Sequence, residues 1–173
     1  MRILVHMFAR YFVELPISPE EVERALSQDP RLWLPGLAER AHHRGDVLLA
    51  EVGFGEAVRI KRTVAVELGR SIRTGSKFVF PLRWAASGGA DLFPSLDADL
   101  EVAPIGPGRT QLAMSARYVP PFGTVGRVID RAVLSRVAEA TLKDFLDRVA
   151  DAIMGSRDAP RPVEPLRAVP APA

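Results

Sequence analysis

One stretch limits the possible folds more than any other. Residues 122–154 read FGTVGRVIDRAVLSRVAEATLKDFLDRVADAIM. Apolar side chains at Val125, Val128, Ile129, Ala132, Val133, Val137, Ala138, Leu142, Phe145, Leu146, Val149, Ala152 and Ile153 recur at the three-and-four spacing of a single helical stripe. Arg127, Asp130, Arg131, Arg136, Glu139, Lys143, Asp144, Arg148 and Asp151 take the opposite face. Pro120-Pro121 cannot lie inside a helix and mark its start, and Gly155 is expected to end it. At 1.5 Å per residue such a helix is roughly 45 Å long. It is expected to bend near its middle, and it needs a broad apolar surface to cover its stripe.

The segments before it read as strands that could supply that surface. Residues 3–15 form a strand stopped by Pro16. Ser18-Pro19-Glu20-Glu21 then places a capping serine, a proline at the first helical position and a glutamate three residues after the cap, and a short helix runs to about Ser27. Asp29-Pro30 precedes a second short helix, interrupted at Pro35-Gly36 and ending near His42. A meander follows. Residues 47–54 and 58–68 read as strands, the second with Val58, Ile60, Val64 and Val66 on one face and Arg59, Lys61, Thr63 and Glu67 on the other. Residues 69–75 read as a polar turn. Residues 77–86 turn Phe78, Phe80, Leu82 and Trp84 inward, with Pro81 suggesting an edge position or a bulge. Residues 87–96 form a loop. Residues 97–103 alternate Asp97, Asp99 and Glu101 with Ala98, Leu100 and Val102, and after a turn at Pro107-Gly108 residues 110–118 turn Leu112, Met114, Ala116 and Tyr118 to one side. The expected fold is α+β: a curved antiparallel sheet of about six strands wrapped around the long C-terminal helix, with two short helices after the first strand. Residues 1–154 make that domain. Residues 155–173 carry five prolines and no apolar period, and are expected to be a disordered appendage.

Composition narrows the function classes. The chain has 173 residues, 47% hydrophobic and 25% charged, with a net charge of +2. Near-neutral charge without Lys/Arg clusters argues against nucleic-acid binding. The absence of cysteine removes thiolate metal sites and cysteine nucleophiles. No apolar run approaches the roughly 20 residues of a membrane span, and His6, Arg10 and Glu14 interrupt the apolar start, so no stable membrane insertion is expected and the expected compartment is the cytoplasm. Gly53-Phe54-Gly55 lacks the third glycine and following helix of a dinucleotide site. No cofactor or metal is expected. His42-His43 have no third ligand in sequence, and the Asp97, Asp99, Glu101 row shares its face with Lys77, Arg83 and Arg117, so cross-strand ion pairs account for it.

Several motifs resemble one known group. Tyr118-Val119-Pro120-Pro121-Phe122-Gly123-Thr124-Val125-Gly126, followed by Asp130 and the long helix, is similar to the approach to the last helix in many bacterial members of the START-like (SRPBCC) superfamily. Ser18-Pro19-Glu20-Glu21-Val22, the Pro-Leu-Arg-Trp run at 81–84 and the Leu-Phe-Pro run at 92–94 also resemble it. The resemblance covers residues 1 to 154. It implies the helix-grip fold, with a cavity between sheet and last helix that commonly holds a small hydrophobic molecule. That superfamily includes birch-pollen-allergen-like proteins, polyketide cyclase/aromatases, lipid-transfer domains and coenzyme Q-binding proteins. It shares no universal catalytic residue.

Ligand-facing residues expected on this basis are Ile60, Arg62, Val64, Phe80, Leu82, Trp84, Leu100, Met114 and Tyr118 from the sheet, Ile129, Val133 and Phe145 from the helix, and Phe93 from the 87–96 loop, which has the glycines and apolar tip of a lid. The same residues would serve a filled core, and periodicity does not separate the two. Arg62 shares its parity with Ile60 and Val64, so it anchors a ligand carboxylate or phenolate, is paired structurally with an acidic side chain, or is turned outward by a bulge. Trp84 and Tyr118 carry polar tips that could orient a ligand. The expected function is binding or carrying a lipid, quinone, isoprenoid or polyketide, as a monomer or homodimer. The alternative is a polyketide cyclase or aromatase acting in the same cavity. A filled core acting only through its surface is a third reading.

Overall fold

The computed structural model describes residues 7–28, 30, 34, 36–40, 63–87, 95–118 and 131–158. In chain order the elements are β1 (Met7–Leu15), α1 (Pro19–Ser27), β2 (Thr63–Leu68), β3 (Ile72–Thr74), β4 (Lys77–Ser87), β5 (Ser95–Gly106), β6 (Arg109–Tyr118) and α2 (Arg131–Asp158), with residues 36–40 also helical. The strands form one antiparallel sheet in the order β1-β6-β5-β4-β2, and β3 also pairs with β4. With α2 on its inner face this is the α+β helix-grip arrangement expected from the sequence. α2 packs chiefly on β1, and α1 contacts β4, β5, β6 and α2.

Strict alternation aligns the inner side chains in rows across the sheet. Trp84, Leu96 and Tyr118 make one row, with Val66 beside Trp84. Leu82, Ala98, Ala116 and Ala9 make the next, and Phe80, Leu100, Met114 and Tyr11 the third. Phe78, Val102, Leu112 and Val13 make the fourth. α2 opposes these rows with buried Val137, Ala138, Leu142, Phe145, Leu146, Val149 and Ile153, the stripe read from the sequence. The outer face carries the ion pairs expected there: Lys77 Nζ lies 3.5 Å from Glu101 and Arg83 Nε 3.7 Å from Asp97. Among the described residues no acidic or histidine cluster could hold a metal.

α1 closes the sheet at the Leu15 end. Ser18 caps it as read: Glu21 N–H donates to Ser18 Oγ (3.3 Å), and Ser18 N–H donates back to Glu21 Oε2 (3.0 Å). Val22 and Leu26 are fully buried beneath it. Ser18→Ala leaves the first-turn N–H without its side-chain acceptor and is expected to lower stability by about 1 kcal/mol, measured as a lower urea midpoint at unchanged slope.

Three details differ from expectation. Pro81 is not at an edge: β4 lies between β5 and β2. Its partnering toward β2 and β3 falls at their junction, after Leu68 opposite Leu82 and before Ile72 opposite Val79. The missing N–H therefore faces a gap in the ladder, where the Pro81 carbonyl accepts from Gly69 N–H at 2.7 Å. Second, the polar turn at 69–75 contains β3, whose three residues are all exposed and so leave no burial pattern to read. Third, Gly155 does not end the last helix, which runs on to Asp158. Gly155 is exposed with open space around it, so its entropic cost of roughly 1 kcal/mol is tolerated, and Pro160 disfavours helix just beyond. The strand expected at 47–54, the first part of that at 58–68 and the approach to the long helix at 119–130 lie outside the described residues.

Candidate functional site

The end of the sheet opposite α1 is where β4 leaves at Ser87, β5 begins at Ser95, β6 ends at Tyr118, and β1 and β2 begin. There the sheet and α2 leave an apolar recess lined by Trp84, Leu96, Ala138, Thr141 and Leu142. The recess is shallow, with a free volume of ≈ 10 Å³, about one water molecule's worth. The Trp84 ring meets Phe145 edge-on at 5.5 Å between centroids, with the planes at 62°. Trp84, which lines the recess, thus also packs on Phe145 of the buried core. Among the described lining residues Thr141 supplies the hydroxyl, and its Oγ1 donates to the Val137 carbonyl at 2.9 Å, one turn back. The recess thus offers an incoming group apolar contact and little hydrogen bonding.

The expected site residues divide in two. Phe80, Leu82, Leu100, Met114 and Phe145 are buried in the packed rows, and Tyr118 is 2% exposed beside Leu96. Among the expected residues whose side chains are described, Trp84 is the one that lines the recess. Val64 lies in β2 opposite Ala86, and Val133 lies in the first turn of α2 as described. Ile60, Arg62, Phe93 and Ile129 lie outside the described residues. Of the other lining residues, Ala138 and Leu142 belong to the helical stripe. Leu96 falls at the end of the stretch that reads as a loop, although it continues the Ala98, Leu100, Val102 parity. Thr141 gives no signal in the sequence because a hydroxyl breaks an apolar stripe, whereas bonding to the i−4 carbonyl lets threonine be buried in a helix.

Tyr118 is an ionisable group buried at this end of the sheet. Burial, and secondarily the negative charge of Glu139 on α2, push its phenol from 10.0 up to about 12. At neutral pH it is a hydroxyl that can donate a hydrogen bond and cannot act as a base. The buried polar side chains otherwise described are Thr110, which donates to the Ile17 carbonyl at 2.7 Å, and Thr141. No described helix is long and apolar enough to cross a membrane.

No family model matches the chain, and no curated protein matches it. Among solved structures it is similar to a conserved protein from Geobacillus kaustophilus, at 16% identity over 88% of this chain and 97% of the other, with a TM-score of 0.49. It is also similar to the START superfamily protein from Mycobacterium smegmatis, at 12% identity over 88% and 99%, with a TM-score of 0.45. A third is the Zhui aromatase/cyclase from a Streptomyces species, at 12% identity over 88% and 93%, with a TM-score of 0.43. At these values the fold assignment stands on this chain's own strand order and helix placement.

Proposed function

We propose that the protein binds a small hydrophobic molecule of the lipid, quinone, isoprenoid or polyketide kind, tail first, in the space between the sheet and α2. The observation that carries this reading is the recess at the end of the sheet that α1 does not close, walled by Trp84, Leu96, Ala138 and Leu142. Its room for one water-sized body takes a methyl or a ring edge. The rest of the ligand then extends toward the strand ends at Ser87, Ser95 and Tyr118, and Ile60, Arg62, Phe93 and Ile129 remain candidate ligand-facing residues on the sequence pattern. Affinity comes from apolar area, roughly 25 cal/mol per Å² before association costs. A Tyr118 phenol that keeps its proton at neutral pH is a poor base for catalysis, which favours carriage over cyclisation.

The test is mass spectrometry of the organic extract of denatured protein, together with titration of a naphthalene-based fluorescent probe. A stoichiometric apolar compound is expected in the extract. Ala138→Leu adds a branched side chain into the recess and is expected to weaken probe binding about tenfold, while overpacking lowers stability by about 1–3 kcal/mol. An empty extract, with probe binding absent or unchanged in Ala138→Leu, would remove the carrier reading and leave the interior as plain core.

A further inference from the structure

β1 lies at the edge of the described sheet. Among the described residues β1 has a neighbour on one side only, β6. The direction of its backbone groups follows from Pro81, whose carbonyl points to Gly69 on the β2 and β3 side. In an antiparallel ladder both backbone groups of a residue face the same neighbour, and successive residues alternate. Asp99, opposite Pro81, therefore bonds toward β6, and Ser115, opposite Asp99, bonds back toward β5. Arg10, opposite Ser115, then turns its N–H and C=O to the free edge, and so do Phe8, Phe12 and Glu14. These are also the residues whose side chains stand on the outer face, with Phe8 61% and Phe12 52% exposed. A long edge strand carrying two bare phenylalanines invites another strand.

We infer that two copies join antiparallel through β1, with Phe12 opposite its own symmetry mate. The charges select this register. Centring the pair on Arg10 sets the two Arg10 side chains opposite each other, which is repulsive. Centring it on Tyr11 sets Glu14 against Phe8. Centring it on Phe12 sets each Arg10 opposite the other copy's Glu14 and stacks the two Phe12 rings between those pairs. Glu14 already accepts from Arg109 through Oε2 at 2.6 Å, and a carboxylate accepts at both oxygens. On the inner face the same register places Tyr11 opposite Val13, the two half-buried residues of that face of β1. Lys143 lies over the Tyr11 ring at 5.2 Å. One strand pair is smaller than a standard interface, so the dimer is concentration-dependent.

Sedimentation velocity of the full chain over a concentration series should show the mass rising from 18.9 kDa toward twice that value. Arg10→Glu sets like charges opposite each other and is expected to weaken the association by about tenfold or more. The natural chain has no cysteine, so single cysteines report the register under mild oxidation. Phe12→Cys should crosslink rapidly, because directly paired residues sit about 5.5 Å apart between Cα atoms. Arg10→Cys should not, its two copies being about 13 Å apart along the strands. Both positions are exposed, and circular dichroism checks that each variant is folded. A chain that stays monomeric at every concentration overturns the inference, as does faster crosslinking of Arg10→Cys than of Phe12→Cys. Monomers that cosediment with phosphatidylcholine/phosphatidylglycerol vesicles, and lose that binding in Phe12→Lys, would assign the face to a lipid surface and likewise overturn it.

Discussion

Phe145→Ala is expected to lower the free energy of unfolding by about 3–5 kcal/mol, the range for removing a buried aromatic from a packed core. Phe145 is completely buried on α2, and its ring supports Trp84 edge-on. Truncation removes both the transfer energy of the ring and its contact with Trp84, which lines the recess. A lower urea midpoint with unchanged slope would report the loss, and the near-ultraviolet signal of Trp84 should weaken with it. The space freed next to Trp84 should also strengthen binding of a small apolar probe, as dry apolar cavities accept such molecules. A loss under about 1 kcal/mol would mean that the helix is already loosely seated here, contrary to the burial of Leu142, Leu146 and Val149 around it.

The second large effect is alkaline. The Tyr118 phenol titrates near 10.0 when unfolded and near about 12 when folded, first because it is buried and second because Glu139 is close. Below the unfolded value both states hold the proton and stability does not vary with it. Between about pH 10 and 12 the unfolded chain releases a proton that the folded chain retains, so stability falls as pH rises, by about 2–3 kcal/mol in total. Other groups also titrate there, so the comparison that isolates Tyr118 is Tyr118→Phe, which should show a shallower loss between about pH 9 and 12. Equal slopes in the two proteins would mean that the hydroxyl is open to water and able to ionise in the folded state.

How much of this was legible in the chain differs by level. The capping box of α1, the inward parities of β4, β5 and β6 and the α2 stripe from Val137 to Ile153 were readable because burial on one face selects residues at a fixed period. β3 left no trace, because an exposed strand held only by backbone bonds selects no side-chain pattern. Pro81 suggested an edge because a proline removes one ladder bond, and sequence does not show that a gap between two neighbouring strands absorbs the loss. Gly155 suggested a helix end because glycine is favoured past the last turn, yet an exposed position tolerates it inside.

The site follows the same division. Sequence alone named Trp84, Phe145 and Tyr118 as inward, because alternation decides the face on which a residue stands. It could not say that Phe145 fills the interior under Trp84, or that Leu96, Ala138, Thr141 and Leu142 meet around one recess. Those are distances between residues far apart in the chain, set by the β4–β5–β6 register and the height of α2 above it. By itself the sequence determined which residues are apolar, at what period, and so which surfaces must be covered. Only the tertiary structure decided where covering is complete and where it stops, because packing depends on volumes summed across elements and no single segment contains that sum.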